Sequence, residues 1–370
     1  MEKQTRSDFL DRIRVILTVL VILHHVAIMY GADGGWYLRY KAGDLLSGVS
    51  LTLFCAVNQS FFMGMFFLLA GYFTPRSFDA KGVKRFVVDR LMRLGIPTLI
   101  FGFLLGPLSI ALAETPEQFS VLSFCWHLIK QGNINLGPLW FAYALLLFSA
   151  VYVVFRLLLP RIRWNLSVSV LRHSAIFLVL MVWGCAAFLL RLWVPTGKEL
   201  GFLQIGFFAS YFLLFIIGCA ASDNDLLGKI EKRLALPWIA VSVATIPSLF
   251  IYAALAGAFT GIPFDVHGGW TLPVVFYAFW EAFVACGIIL GLLWLCRVSA
   301  QPWKFWNRLA PLTYPAFIVH APLVVLFCVW SQPWQQHSLW MFVVVGTASL
   351  IASFGVAAVL HKVPGARRIL

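Results

Sequence analysis

Ile13-Arg14-Val15-Ile16-Leu17-Thr18-Val19-Leu20-Val21-Ile22-Leu23-His24-His25-Val26-Ala27-Ile28-Met29-Tyr30 decides the fold of this chain. The stretch is apolar apart from a cation at its start, one threonine and two histidines at depth, and it is long enough to cross a hydrocarbon core of ~30 Å. At 100° per residue, the eleven positions from Arg14 to His25 bring the two side chains back to within about 20° of one helix face, about 16 Å apart along the axis. An imidazole held among apolar side chains costs solvation energy that an ordinary span avoids, so its presence points to a role. A cation at the mouth and a base at depth suit a long-armed anionic ligand.

Working outward, the same apolar pattern recurs along all 370 residues. The chain is 61% hydrophobic and 12% charged, and its mean hydropathy of +0.88 leaves no place to bury the apolar surface except lipid. The expected fold is an all-α polytopic integral membrane protein. Ten spans are expected, at 13–30, 46–74, 95–113, 138–159, 174–194, 202–222, 236–257, 272–296, 309–330 and 338–361. No polar stretch between them is long enough for a soluble module, so residues 1–370 read as one transmembrane domain. The first span lacks a small-residue cleavage site behind it and reads as a retained helix rather than a signal peptide.

Charge sets the orientation. With the N-terminus cytoplasmic, all 28 Lys and Arg residues fall in inner segments except Arg39, Lys41, Lys130, Arg191 and Lys198. That bias predicts ten helices with both termini inside. The net charge of +13 is therefore an orientation signal, needs no nucleic acid partner, and gives the inner face an affinity for anionic lipid head groups. The seven cysteines lie in or beside different spans, without a Cys-x-x-Cys pair or a metal-type pairing with histidine, and read as small core hydrophobes. No metal is expected, and no glycine-rich phosphate loop, dinucleotide fingerprint or internal repeat occurs.

Further motifs follow in order. They are Asp11-x-x-Arg14-x10-His25, the run Phe66-Phe67-Leu68-Leu69-Ala70-Gly71-Tyr72, Arg90-x-x-Arg93, Leu139-Trp140-Phe141, and Tyr314 with His320. On these residues the chain resembles the acyltransferase 3 family of membrane-bound acyltransferases, in its short form without a fused esterase-like domain, and is most similar to members that modify periplasmic glucans. The family usually has serine where this chain has Ala70, so no role for that hydroxyl carries over. The resemblance implies a bacterial inner-membrane enzyme with an acyl-CoA donor on the cytoplasmic side and a carbohydrate hydroxyl acceptor at the outer side. It also implies that His25 is catalytic and that Arg14 is its partner in donor handling.

The chemistry of the residues agrees. A neutral imidazole is what a general base requires, and His25 would take the proton of the acceptor hydroxyl. Arg14, Arg90 and Arg93 suit phosphate as rigid forks, with Lys84 and Arg85 as less directional support. The competing reading of Arg14 is a snorkelling interfacial arginine paired to Asp11. The expected path runs from Arg90 and Arg93 past Arg14 to His25, with a second opening toward the outer loops.

Four groups of polar residues complete the reading. His24 faces about 100° away from His25 and reads as a packed, hydrogen-bonded histidine. Glu281, the carboxylate well inside the eighth span, either orients His25 or pairs with an arginine such as Arg191. His320 is grouped with the acceptor side; near the carbonyl freed by Pro322 it reads equally as a catalytic group or as a structural hydrogen bond. On the outer side, residues 114–137 hold an amphipathic stretch with Phe119, Leu122, Trp126 and Ile129 on one side, which reads as a helix lying in the interface. Trp36, Tyr37, His127, Asn133, Asn135, Trp270 and Trp334 are candidates for a sugar platform, against an aromatic belt at the membrane surface.

Three functions fit these residues. The first is an O-acyltransferase moving an acyl group onto an exported polysaccharide; acetyl is favoured over succinyl because the first span holds no further cation above Arg14. The second is a secondary transporter of a small anion or glycan using Arg14, His25 and Glu281 as a relay, although the paired broken helices such proteins often carry are not evident. The third is a lipid head-group acyltransferase. Sequence leaves the acceptor and the oligomeric state open.

Overall fold

A computed structural model describes residues 2–160, 167–299, 304–334 and 336–369; Arg161 and Arg163, expected among the inner-loop cations, lie outside the described residues. The described residues are mainly helical, joined by turns and by longer loops such as the one between Met29 and Leu45, with no strand among them beyond an isolated bridge between Leu200 and Leu203. In chain order the α-helices are α1 (Glu2–Met29), α2 (Leu45–Arg90), α3 (Ile96–Ile100), α4 (Gly106–Glu114), α5 (Val121–Lys130), α6 (Trp140–Leu158) and α7 (His173–Trp193). They continue as α8 (Phe208–Ala221), α9 (Lys232–Thr245), α10 (Ser248–Leu255), α11 (Leu272–Val298), α12 (Lys304–Leu309), α13 (Thr313–Ser331) and α14 (Ser338–Leu360).

Among the described residues, eight helical runs are long and apolar enough to cross a membrane. The difference from the expected ten has two sources. The expected spans 46–74 and 95–113 fall within one helical run, Leu45–Glu114, of 70 residues, and 202–222 falls on a shorter apolar helix, Ile205–Ala221. A straight helix of that first length would extend about 105 Å, several bilayer cores, so the run is not a single span. It is interrupted at Gly82, whose φ of 70° and ψ of 169° leave the helical region; a side chain there would be strained, and glycine is not. Two five-residue π turns follow, Leu91–Gly95 and Phe101–Leu105, on either side of α3 with Pro97. The polytopic all-α fold stands.

The chain divides into two compact units. The first comprises Met1–Ile13, Gln59–Lys81 and Phe155–Pro302. Within it α11 packs on α9 and α7, and α7 on α8. Small residues permit the tightest crossing: a Cβ on Gly71 would fall 2.2 Å from the carbonyl oxygen of Phe215, and one on Gly218 would fall 2.1 Å from that of Leu68. Close backbone approach of this kind is how membrane helices associate when lipid is as apolar as their side chains. The Phe66–Tyr72 run therefore serves packing here, and Tyr72 donates its hydroxyl to the Asp225 carboxylate.

The second unit comprises Arg14–Asn58, Gly82–Val154 and Trp303–Leu370. Its α13 packs on α14 and α4, and α4 on α5. A core of Ile22, Val26, Met29, Leu51, Val324, Cys328, Met341 and Val345 draws α1, α2, α13 and α14 together, and the loop after α1 lays Trp36, Leu38 and Tyr40 against it. That loop is fixed by backbone bonds from Ala32 to Ala27 (3.0 Å) and from Tyr40 to Met29 (2.8 Å), and by the Tyr30 hydroxyl on Ser331 (2.6 Å). Asp44 caps α2 by accepting from the Ser47 amide at 2.8 Å. Large apolar side chains such as Leu99, Val151 and Ile351 stay exposed, as lipid contact requires.

Candidate functional site

α1 carries Arg14 and His25 half-buried, while Leu17, Thr18, Val21 and Ile22 between them are buried. By the same angles, Thr18 and Val21 share the face of Arg14 and His25 and are buried, whereas the less covered Ile16, Val19, Leu20 and Leu23 lie on the opposite side of the helix. The Arg14 carbonyl accepts the Thr18 hydroxyl at 2.9 Å, a local bond that returns a hydroxyl to its own helix.

His25 is the centre of a ring cluster in the second unit. Its Nδ1 lies 3.0 Å from Nε2 of His320, a residue 295 positions away. The two rings are nearly coplanar, 15° apart with centroids at 5.1 Å, so they meet edge to edge through that N···N contact rather than face to face. Trp36 lies flat against His25, with centroids 3.6 Å apart and planes 12° apart. The loop following α1 thereby roofs the histidine at its end, and the indole N–H of Trp36 is buried without a hydrogen-bond partner. His24 is buried, and its ring stands edge-on to His25 at 5.6 Å and 88°. The fuller separation expected of neighbouring helix positions is what puts His320, and not His24, in the plane of His25.

His320 is fully buried on α13, and its Nδ1 lies 2.7 Å from the Phe317 carbonyl oxygen. The carbonyl that Pro322 deprives of its usual amide donor is that of Ile318, four residues earlier; the one His320 uses is its neighbour. Two other residues that carried the resemblance also meet on α13. The Tyr314 hydroxyl donates to the Arg93 carbonyl at 2.7 Å, and Phe141 meets Phe317 edge-on at 6.1 Å.

The cations gather at the end of α2. A cavity of about 650 Å³ is lined by Lys84, Arg85, Val88, Asp89, Met92 and Arg368. Arg90 and Arg93 stand outside its lining: Arg90 covers the Phe86 ring at 4.9 Å and Arg93 pairs with Asp89 at 3.3 Å. Arg368 was not singled out from sequence. The signal that could have found it is the pair Arg367-Arg368 just after the last span.

The remaining candidates are dispersed. α5 has a capping box, Ser120 accepting from the Ser123 amide while the Ser123 hydroxyl accepts from the Ser120 amide, and it exposes Leu122 and Trp126, in keeping with an interfacial helix. His127 on α5 bonds Gln131 at 2.9 Å, and Asn133 is exposed. Asn135 is committed to structure, its side-chain oxygen accepting from the Tyr37 hydroxyl at 2.8 Å and the Gly137 amide at 2.9 Å. Burial pushes the Tyr37 phenol above its ordinary pKa, which keeps it the neutral donor of that bond. Trp270 is 78% exposed and packs on Phe188.

Glu281 belongs to the first unit. Its Oε2 accepts from Arg191 Nη2 at 2.6 Å, and Arg191 Nε donates to the Gly206 carbonyl at 3.3 Å. The guanidinium sits over the rings of Phe207 and Tyr277 at 5.6 and 5.4 Å. Of the two partners the sequence suggested for Glu281, the arginine is the one it contacts. Among the described residues, no group of three or more His, Cys, Asp or Glu side chains is placed to hold a metal ion.

Comparison with known proteins bears on all of these residues. The Acyltransferase domain model of the acyltransferase 3 family matches residues 7–361. The chain is 25% identical over 383 residues to glucans biosynthesis protein C of Salmonella gallinarum (strain 287/91 / NCTC 13346), covering 97% of this chain and 91% of that one. It is 26% identical over 397 residues, with the same coverage of 97% and 91%, to glucans biosynthesis protein C of Escherichia coli O6:K15:H31 (strain 536 / UPEC). No solved structure matches the chain. With a match running from the head of α1 through the end of α14, and with His25, Arg93 and Tyr314 joined in one unit, the chain belongs to the acyltransferase 3 family of membrane acyltransferases.

Proposed function

We propose that this acyltransferase moves an acyl group, acetyl in the first instance and succinyl in the second, from acyl-CoA to a hydroxyl of an exported glycan. It would sit in the bacterial inner membrane with both termini and the donor site facing the cytoplasm. The relatives named for glucan biosynthesis support the glycan acceptor. The bias of lysine and arginine supports the orientation.

The observation that carries the reading is His25 itself: half-buried on α1, one ring nitrogen engaged by His320, the other without a hydrogen-bond partner among the described residues. In the reaction, His25 Nε2 takes the proton of the acceptor hydroxyl and the hydroxyl oxygen bonds to the thioester carbonyl carbon. The carbon–sulfur bond then breaks, and the departing CoA sulfur receives the proton from His25. The products are an ester and free CoA, with no change of oxidation state. Arg14, Arg90 and Arg93 grip the phosphates of CoA, with Lys84, Arg85 and Arg368 around the cavity in support. Trp36, His127 and Asn133 are the proposed acceptor contacts. Glu281 enters as the partner of Arg191.

The test is acyl transfer by the purified protein in lipid bilayers, with labelled acetyl-CoA and succinyl-CoA and a soluble glucan as acceptor. Alkali-labile label on the glucan is expected. Vesicles in which neither thioester is consumed, while a small anion or the glucan itself crosses the membrane, would replace the enzyme with a transporter.

A further inference from the structure

The hydrogen bonds around His320 determine which nitrogen of His25 holds the reactive lone pair. A carbonyl oxygen only accepts, so the 2.7 Å contact between His320 Nδ1 and the Phe317 carbonyl requires the proton of His320 to sit on Nδ1. In a neutral imidazole the other nitrogen is then an acceptor, and Nε2 of His320 faces Nδ1 of His25 at 3.0 Å. His25 must therefore donate from Nδ1, which leaves its lone pair on Nε2. We propose that His320 is a positioning residue that fixes His25 in this tautomer and so aims Nε2 as the base.

The placement of the two rings fits such a role. The hydrogen bond runs close to both ring planes, which differ by 15°, so it opposes rotation of His25 about its side-chain torsions. The Trp36 indole, 3.6 Å away and nearly parallel, blocks tilting out of that plane on one side. His320 cannot move to follow, since it is 0% exposed and tied to its own helix through Phe317. When His25 receives the acceptor proton on Nε2, the same bond holds a cation: Nδ1–H donates more strongly and the His320 lone pair accepts it, without proton transfer to His320. This is the part a carboxylate plays beside the histidine of a hydrolase triad, here given to a neutral ring. His320 touches neither the acceptor hydroxyl nor the thioester in this scheme and acts through His25 alone.

The inference rests on the proposed acyl transfer from CoA, and the two are separable by experiment. The tautomer is read by nitrogen NMR of the wild-type protein in bilayers with labelled histidine, His25 being assigned by difference from the His25→Ala spectrum. The expected state is a protonated Nδ1 and a bare Nε2; the opposite tautomer overturns the inference, whatever the enzyme's substrate. In kinetics, His320→Ala is expected to lower kcat about ten- to a hundredfold, as loss of a bond to a charged group does, with the donor KM within about twofold. His320→Gln, whose amide oxygen can accept at the same reach, is expected to recover most of the loss. A His320→Ala enzyme at full kcat, or a His320→Gln enzyme as slow as His320→Ala with His25 still in its wild-type tautomer, overturns it. If the wild-type protein transfers no acyl group from any CoA thioester, the functional reading falls while the NMR result still decides the tautomer.

Discussion

Two of the ionisable pairs inside the described helices solve the same problem in opposite ways. Arg191 and Glu281 form a charged pair with side chains 0% and 4% exposed, locked further by the Gly206 carbonyl and two aromatic rings. His25 and His320 form a pair that needs no charge, half-buried on one side, with a ring nitrogen of His25 left over. The charged pair is sealed from any ligand, although Nη1 of Arg191 has no hydrogen-bond partner, whereas the neutral pair keeps partial exposure at His25. The difference teaches that an ionisable residue in a span is a candidate for chemistry when a ligand can reach it, a refinement of the default that every such residue is functional.

The sharpest way to break the comparison is to remove each member in turn. His25→Ala is expected to lower acyl transfer by about two to four orders of magnitude while the protein inserts and retains donor binding. Turnover of the purified variant checks this, and near-normal turnover would return His25 to the structural class. Glu281→Ala is expected to act on stability instead, by about 3–5 kcal/mol, because it strands the Arg191 charge; thermal unfolding in detergent measures it. Pairing it with Arg191→Met should restore much of the loss. A Glu281→Ala protein of wild-type stability and no turnover would move Glu281 into the site.

A smaller effect is expected at the donor end. Arg14→Ala, Arg90→Ala and Arg93→Ala should each weaken CoA binding more than tenfold, since charge-assisted bonds are worth ~1.5–3 kcal/mol, with little change in acceptor dependence. Unchanged calorimetric titrations in all three would place the phosphates elsewhere.

The smallest effect is at Asp44, outside the spans. The Ser47 hydroxyl, then the Ser47 amide, hold its carboxyl below the ordinary value, and His337 lies 3.1 Å away. A carboxyl lowered on folding contributes stability above its unfolded pKa of about 3.9, and loses it as pH falls through the lower folded value. Asp44→Asn should therefore flatten acid unfolding below about pH 4 and leave neutral stability nearly unchanged, as acid titrations of the two proteins would show.

Much of this was legible in the chain, and what was not had physical reasons. Hydropathy reveals spans because lipid imposes it on every crossing residue, and helical periodicity singled out Arg14 and His25 from one segment alone. The pairing of His25 with His320 was hidden because it joins residues 295 positions apart, which no local period encodes; both histidines stood out as polar residues in spans, but not as partners. Glu281 and Arg191 were suggested to each other by charge. Hydropathy and backbone continuity divide the Leu45–Glu114 run differently: hydropathy breaks it at its basic stretch into 46–74 and 95–113, while the helical run continues through Gly82 and the π turns. The acyltransferase assignment came from ordered motifs, and composition alone could not have reached it.

The π turns have a consequence of their own for how this segment tolerates change. Each wide turn accommodates one residue more than an α-helical path would need, and one residue is about 100° of rotation. Leu91–Gly95 and Phe101–Leu105 together thus swing everything after them by about 200°, and it is in that orientation that Gly106 meets the Asn135 carbonyl, where a Cβ would fall 2.1 Å away. The length of this stretch is accordingly as constrained as its composition. Deleting a single residue from either turn would let the helix relax to ordinary geometry, yet present a different face to the loop at Asn135, so a change that improves the local hydrogen bonding would misalign its docking.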